Sequence, residues 1–224
     1  MALAGGASIL DVKEPDRGSL GRASFATWRE VRRVVPPEVP LSVALGELRE
    51  WSEAAPRAPA DAFDGLTYCK LGLADARPNW RLDWRSLRDS APMRGRWIAV
   101  AYADWRLADA PSADEVLDAA INAPDVAGVL LDTWSKTGPA WRPSDWRSWT
   151  DRVKAAGLTL AVAGGLTRET IPSLAVLAPD IVAVRGAACE AGDRRLGIDP
   201  GRVAELATIT RTLSALPHSP ATSN

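Results

Sequence analysis

Histidine is nearly absent from this sequence, cysteine is scarce, and lysine is rare beside arginine. The single histidine, His218, stands in a polar, proline-bearing tail. With no cysteine cluster to join it, zinc or haem ligation is not expected. Cys69 and Cys189 are too few to build a disulfide framework in a chain of 224 residues, and each lies inside an apolar run. They read as small buried hydrophobes in a reducing compartment. No apolar run reaches the roughly 18 residues of a membrane span. The first residues, MALAGGAS, are too short and uncharged for a secretory leader. The expected location is the cytoplasm. Excess charge is lacking as well: 27 basic residues face 28 acidic ones, for a net charge of -1. No basic block offers a footprint for a polyanion, so neither nucleic acid nor membrane is an expected partner. No sequence feature requires a cofactor or a metal.

What the chain does have is a recurring pattern. Seven apolar runs occupy residues 8–13 (SILDVK), 41–45 (LSVAL), 66–73 (LTYCKLGL), 97–102 (WIAVAY), 128–132 (GVLLD), 158–163 (LTLAVA) and 181–184 (IVAV). Most are continuous rather than alternating, which is how parallel strands buried on both faces read. Helical candidates lie between them at 27–35, 112–122, 144–156, 167–177 and 200–213. Ser112 with Glu115 forms a capping box, and Gly157 stands where a helix C-cap belongs. Strands alternating with helices at this pitch predict an α/β fold with a parallel sheet. The regular spacing favours a TIM-type (β/α)8 barrel over an open doubly wound sheet. The first βα turn also lacks the G-x-G-x-x-G of a dinucleotide fold.

A barrel of this kind needs eight strands, and seven are visible. Ala2-Leu3-Ala4-Gly5-Gly6 reads as the last turn of a helix and its glycine cap, without the strand that would precede it. Either the coding sequence starts upstream or the barrel lacks its first strand; a misplaced start is the expectation. A single barrel domain is expected over 1–216, followed by a disordered tail at 217–224.

Only four lysines stand among the basic residues: Lys13, Lys70, Lys136 and Lys154. Arginine replaces lysine as a solvated charge but not as a nucleophilic amine, because it does not deprotonate. Lys154 falls in a helix and reads as a surface charge. The other three fall at or just past strand C-terminal ends, which in a β/α-barrel all face one pocket. Asp11 precedes Lys13 by two positions and shares its face. Asp132 ends its strand four residues before Lys136, placed to orient an amine or move a proton. Plain ion pairing at the barrel mouth accounts for these Lys/Asp pairs as well. The lysine census favours chemistry, with a deprotonated amine attacking a carbonyl to form a Schiff base.

Glycines mark candidate phosphate loops. Gly18 and Ser19 follow the first run, Gly164 and Gly165 end the sixth, and Arg185 with Gly186 ends the seventh. Backbone N–H groups at the last two strand ends of a barrel commonly close on a phosphate, and Arg185 adds a charged contact. Trp105 and Trp134 follow strand ends, where they are placed to shape the pocket. The remaining tryptophans, Trp84, Trp141, Trp146 and Trp149 among them, read as packing.

These segments together resemble the (5-formylfuran-3-yl)methyl phosphate synthase family. The resemblance rests on Ile9-Leu10-Asp11-Val12-Lys13-Glu14-Pro15 with Gly18-Ser19-Leu20-Gly21, and on Tyr68-Cys69-Lys70-Leu71-Gly72-Leu73. It extends to Leu131-Asp132-Thr133 with Lys136, and to Arg185-Gly186-Ala187-Ala188-Cys189 with Gly192-Asp193-Arg194. It spans nearly the whole chain. It implies a β/α-barrel lyase of methanofuran biosynthesis, a carbon–oxygen lyase acting on phosphates. Such an enzyme joins two molecules of glyceraldehyde 3-phosphate with loss of phosphate and water. On the same ground Lys13 corresponds to the Schiff-base lysine, Lys70 and Lys136 to further active-site lysines, and Asp11 and Asp132 to the acid/base carboxylates. The family carries a strand and helix ahead of its DVK strand, whereas this chain begins inside that helix. Another phosphosugar aldolase or isomerase on the same scaffold, or a non-catalytic barrel, remains as an alternative, because one scaffold hosts many chemistries. The partner expected is a small phosphosugar, with a homo-oligomer possible.

Overall fold

The computed structural model describes residues 1–54, 58–91, 95–135 and 142–214. Seven parallel strands form one curled sheet in chain order: β1 (Leu10–Val12), β2 (Leu41–Glu47), β3 (Tyr68–Gly72), β4 (Arg96–Tyr102), β5 (Val126–Asp132), β6 (Thr159–Val162) and β7 (Ile181–Val182). All seven fall within or across the apolar runs of the sequence. Among the described residues six α-helices accompany them: α1 (Phe25–Val34), α2 (Leu48–Ala54), α3 (Trp80–Ser90), α4 (Ala113–Ile121), α5 (Arg147–Ala155) and α6 (Pro200–Ser214). The α/β barrel class is therefore correct, with seven of its strands among the described residues. β1 and β7 are the edge strands, and no ladder joins them there.

Local chemistry accounts for most element ends. The Ser112 hydroxyl accepts from Glu115 N–H and the Glu115 carboxylate accepts from Ser112 N–H, the expected capping box. Residues 144–156 divide into a 3-10 turn at Pro143–Trp146 and helix α5. The helix expected at 167–177 is instead a 3-10 segment, Ile171–Leu177. Pro172 near its start has no N–H to give to an α-helical ladder. The N-terminal turn is a 3-10 helix, Leu3–Gly5, capped by Gly6, whose N–H donates to Leu3 O. It packs on α6 so closely that a Cβ on Gly5 would stand 2.5 Å from Val203 Cβ.

The sheet is buried on both faces, which explains its unbroken apolar runs. On the outside, Leu41, Val43, Leu71, Val129 and Leu160 pack against helical residues that include Trp28, Trp84 and Trp149. On the inside, Ala44, Ile98, Val100, Leu130, Ala161 and Ala163 meet Tyr102. Alanines at so many inward positions leave room within the barrel. Cys69 and Cys189 are both buried and unpaired with each other, and burial drives the Cys69 thiol pKa upward. Among the described residues no helix is long and apolar enough to cross a membrane, and no group of histidine, cysteine and carboxylate residues is arranged to hold a metal.

Candidate active site

A cavity of about 1330 Å³ lies within the barrel, lined in part by residues of β1, β7 and the segments that flank them. Its wall includes Asp11, Lys13, Ser19, Lys70, Asp132, Gly164, Gly165, Arg185 and Gly186. Nine of the residues singled out in the sequence thus come together on one concave surface, although they span more than 170 positions of chain. Gly18 is not on that wall; its carbonyl lies 3.5 Å from Arg194 Nη2. Lys136, Trp141, His218 and the segment 217–224 lie outside the described residues. Lys154 is a structural cation, donating to Leu177 O at 2.7 Å.

Strand register decides which side chains meet. Asp11 pairs with Ser42 and Lys70 with Ala44, so β2 presents only small residues between them. The Lys70 ammonium reaches over Ala44 and donates to the Asp11 carboxylate. The Lys70 side chain is 11% exposed, whereas that of Asp11 keeps 30% of its surface open to the cavity. Burial among the barrel walls pushes the Asp11 pKa up. The charges of Lys70 and Lys13, with hydrogen bonds from Lys70 and Ser42, outweigh it and hold the carboxyl below its ordinary value.

Lys13 Nζ donates to the main-chain carbonyl of Ser19 at 3.2 Å. Asp132 is 2% exposed at the end of β5. One of its oxygens accepts from Thr133 N–H at 2.7 Å, and the other lies 3.4 Å from Ser19 Oγ. Gly164 runs against this turn: a Cβ there would stand 2.9 Å from Thr133 N, and its φ of +99° belongs to glycine.

Several further residues shape the site. Asp104, just beyond β4, accepts from Trp134 N–H at 2.7 Å and Ser135 N–H at 2.8 Å, fixing the chain that leads to Lys136. Glu47, the last residue of β2, is buried, and the Tyr102 hydroxyl (2.9 Å) and Ala74 N–H (2.8 Å) both donate to it. Burial raises its pKa to about 7 against those two hydrogen bonds, and the neighbouring Glu50 charge adds to the rise. Burial, with the Glu47 and Asp132 charges, holds the Tyr102 phenol well above its ordinary pKa. Trp134 packs edge-on against Tyr102 at 5.6 Å and, like Trp105, stays off the cavity wall. Arg194 donates to Pro15 O at 2.9 Å, and its own carbonyl accepts from Arg185 Nε at 3.3 Å. It thereby ties the loop after β7 to the loop after β1. A buried carboxylate one residue past a strand glycine was the available sign for Glu47. Arg194 stands in the Gly192-Asp193-Arg194 segment of the resemblance without an assigned role, and for Asp104 no periodicity or motif marked one.

The model of the family described as 4-HFC-P synthase matches residues 1–207. The (5-formylfuran-3-yl)methyl phosphate synthase of Methanocaldococcus jannaschii is 36% identical over 221 residues, covering 92% of this chain and 92% of its own. The protein of the same name from Methanosarcina mazei is 33% identical over 209 residues, 88% of each chain. Among solved structures, a phosphoribosyl anthranilate isomerase in complex with reduced 1-(o-carboxyphenylamino)-1-deoxyribulose 5-phosphate superposes with a TM-score of 0.59. It is 18% identical, over 94% of this chain and 91% of the other. A 3-hexulose-6-phosphate synthase gives a TM-score of 0.57 at 15% identity, over 95% and 89%. At those identities the two structures speak for the fold alone.

Proposed function

We propose, on the premise that this chain belongs to the 4-HFC-P synthase family, that it condenses two molecules of glyceraldehyde 3-phosphate into (5-formylfuran-3-yl)methyl phosphate. Atom balance then requires release of one phosphate and two waters. The observation that carries this reading is the convergence of Lys13, Lys70, Asp11 and Asp132 on one cavity that also receives the ends of β6 and β7.

In this reading Lys13 is the nucleophile. Its amine attacks a triose carbonyl, a water leaves, and the resulting imine acts as an electron sink for carbon–carbon bond formation. Lys70 pairs with Asp11 and holds that carboxylate on the cavity wall that Lys13 also lines. Asp132, held by Thr133 N–H, moves protons between substrate carbons and oxygens. Lys136, which follows Ser135 in the sequence, is the further active-site lysine that the family resemblance implies. Gly164, Gly165, Arg185 and Gly186 supply backbone N–H groups and one guanidinium for a substrate phosphate, at the strand ends where barrels commonly hold one. The enzyme works without a bound cofactor, as a cytoplasmic lyase in the assembly of a methanofuran-type one-carbon cofactor.

The test is incubation with glyceraldehyde 3-phosphate alone, following furan absorbance and free phosphate together. Borohydride added during turnover is expected to fix a covalent adduct on Lys13, read by peptide mass spectrometry. Turnover with an adduct confined to Lys154, or with none, would refute the mechanism. Phosphate release without a furan product would assign the site to other phosphosugar chemistry.

A further inference from the structure

The loop from β1 to α1 closes on itself. Glu14 N–H donates to Gly21 O at 2.8 Å, and a Cβ on Gly21 would stand 2.2 Å from Glu14 O. Ser19 sits within this closed loop, only 1% exposed. Its carbonyl accepts from Lys13 Nζ at 3.2 Å. Its hydroxyl donates to Thr133 O at 2.8 Å and lies 3.4 Å from Asp132 Oδ2.

We infer that Ser19 is a positioning residue for the reaction, a buried splint that sets the Lys13 amine and the Asp132 carboxylate in one frame. The inference rests on the lyase reading above and adds a role to it. A hydroxyl has one proton, and the shorter contact shows where it goes: to the carbonyl of Thr133, pinning the loop to the end of β5. With the side chain pinned, the Ser19 peptide plane cannot rotate, and its carbonyl stays on Lys13. One residue therefore couples two groups that stand 119 positions apart in sequence. A hydroxyl so engaged, in a residue this buried, serves the protein's own frame rather than a substrate phosphate.

Two variants separate the possibilities. Ser19→Ala removes the pin at nearly constant volume, and Ser19→Thr keeps a hydroxyl. The first readout is the pH midpoint of Lys13 acylation by acetic anhydride in the folded protein, followed by mass spectrometry without substrate. In Ser19→Ala the freed carbonyl leaves the ammonium, which loses an acceptor, and the midpoint falls by about half a unit. Ser19→Thr restores it. The second readout is turnover of glyceraldehyde 3-phosphate, expected to fall at least about tenfold in Ser19→Ala with KM within about twofold, as for misplaced groups that still bind substrate. A Ser19→Ala midpoint equal to that of the wild type overturns the inference, whatever happens to thermal stability. If the wild type makes no furan product, the lyase reading alone fails, and the acylation midpoint still decides the role of Ser19.

Discussion

Lys70 and Asp11 form an ion pair that crosses an intervening strand, bridging 59 positions of sequence over the small side chains of Ser42 and Ala44. The pair holds the β1 edge to the body of the sheet and sets the charge of the cavity floor. Because the Asp11 pKa is lowered in the folded state, the pair stabilises the protein above the ordinary value of 3.8 and ceases to do so as pH falls through the lowered value. Asp11→Asn is expected to cost on the order of 1–3 kcal/mol near neutral pH, since Lys70 is left without its partner while solvent in the cavity softens the loss. Urea unfolding of both proteins should show that difference shrinking below pH 4. A pH-independent difference would mean that the loss comes from packing.

Glu47 carries the opposite sign. Its folded pKa of about 7 stands above the ordinary 4.5, so the unfolded chain ionises first as pH rises. Stability on this account is complete below pH 4.5, declines up to pH 7, and then levels off. Glu47→Gln, which keeps an acceptor for Ala74 N–H, should flatten the decline and gain about 3 kcal/mol relative to wild type at pH 8. Parallel slopes for the two proteins in this window would show that Glu47 ionises normally.

Gly164 has both a positive φ and a wall of Thr133 atoms where a side chain would go. Gly164→Ala should cost about 2–3 kcal/mol and, by shifting the turn, raise KM for glyceraldehyde 3-phosphate, the proposed substrate. Thermal melts and steady-state kinetics read the two effects separately, and a variant with wild-type melting would contradict the crowding.

Arg194 reaches from the loop after β7 to Pro15 O and toward Gly18 O. Arg194→Ala should cost about 1 kcal/mol and speed amide hydrogen exchange selectively in residues 14–21. Unchanged exchange there would mean that the closed loop stands without its tie.

The sheet was legible in the sequence because burial on both faces writes each strand as an unbroken apolar run; β4 is WIAVAY preceded by a single arginine. Lys13, Lys70, Asp11 and Asp132 were legible because lysine is rare here and strand ends share a face. Helices α2 and α3 were not. α2 follows β2 without a loop residue between them. α3 (WRLDWRSLRDS) is dominated by polar residues, and its buried stripe rests on Trp80 and Trp84, four apart. That spacing was the signal available. The pairings of Glu47 with Tyr102 and of Arg194 with Pro15 were not legible, because they depend on register and loop closure between distant segments.

All six strand pairings join neighbours in the sequence, so the sheet is able to grow in the order in which a ribosome delivers it. Lys13, Lys70 and Asp132 are together once β5 has formed. Arg194 and α6, which tie down the loop after β1 and the N-terminal turn, follow all seven strands in the chain. A nascent chain paused after β7 would hold most of the reactive groups around a mouth whose rim is still untethered. The rim of the cavity is thus closed by segments that follow the lysines Lys13 and Lys70 in the chain, so it is completed after those side chains have been brought together.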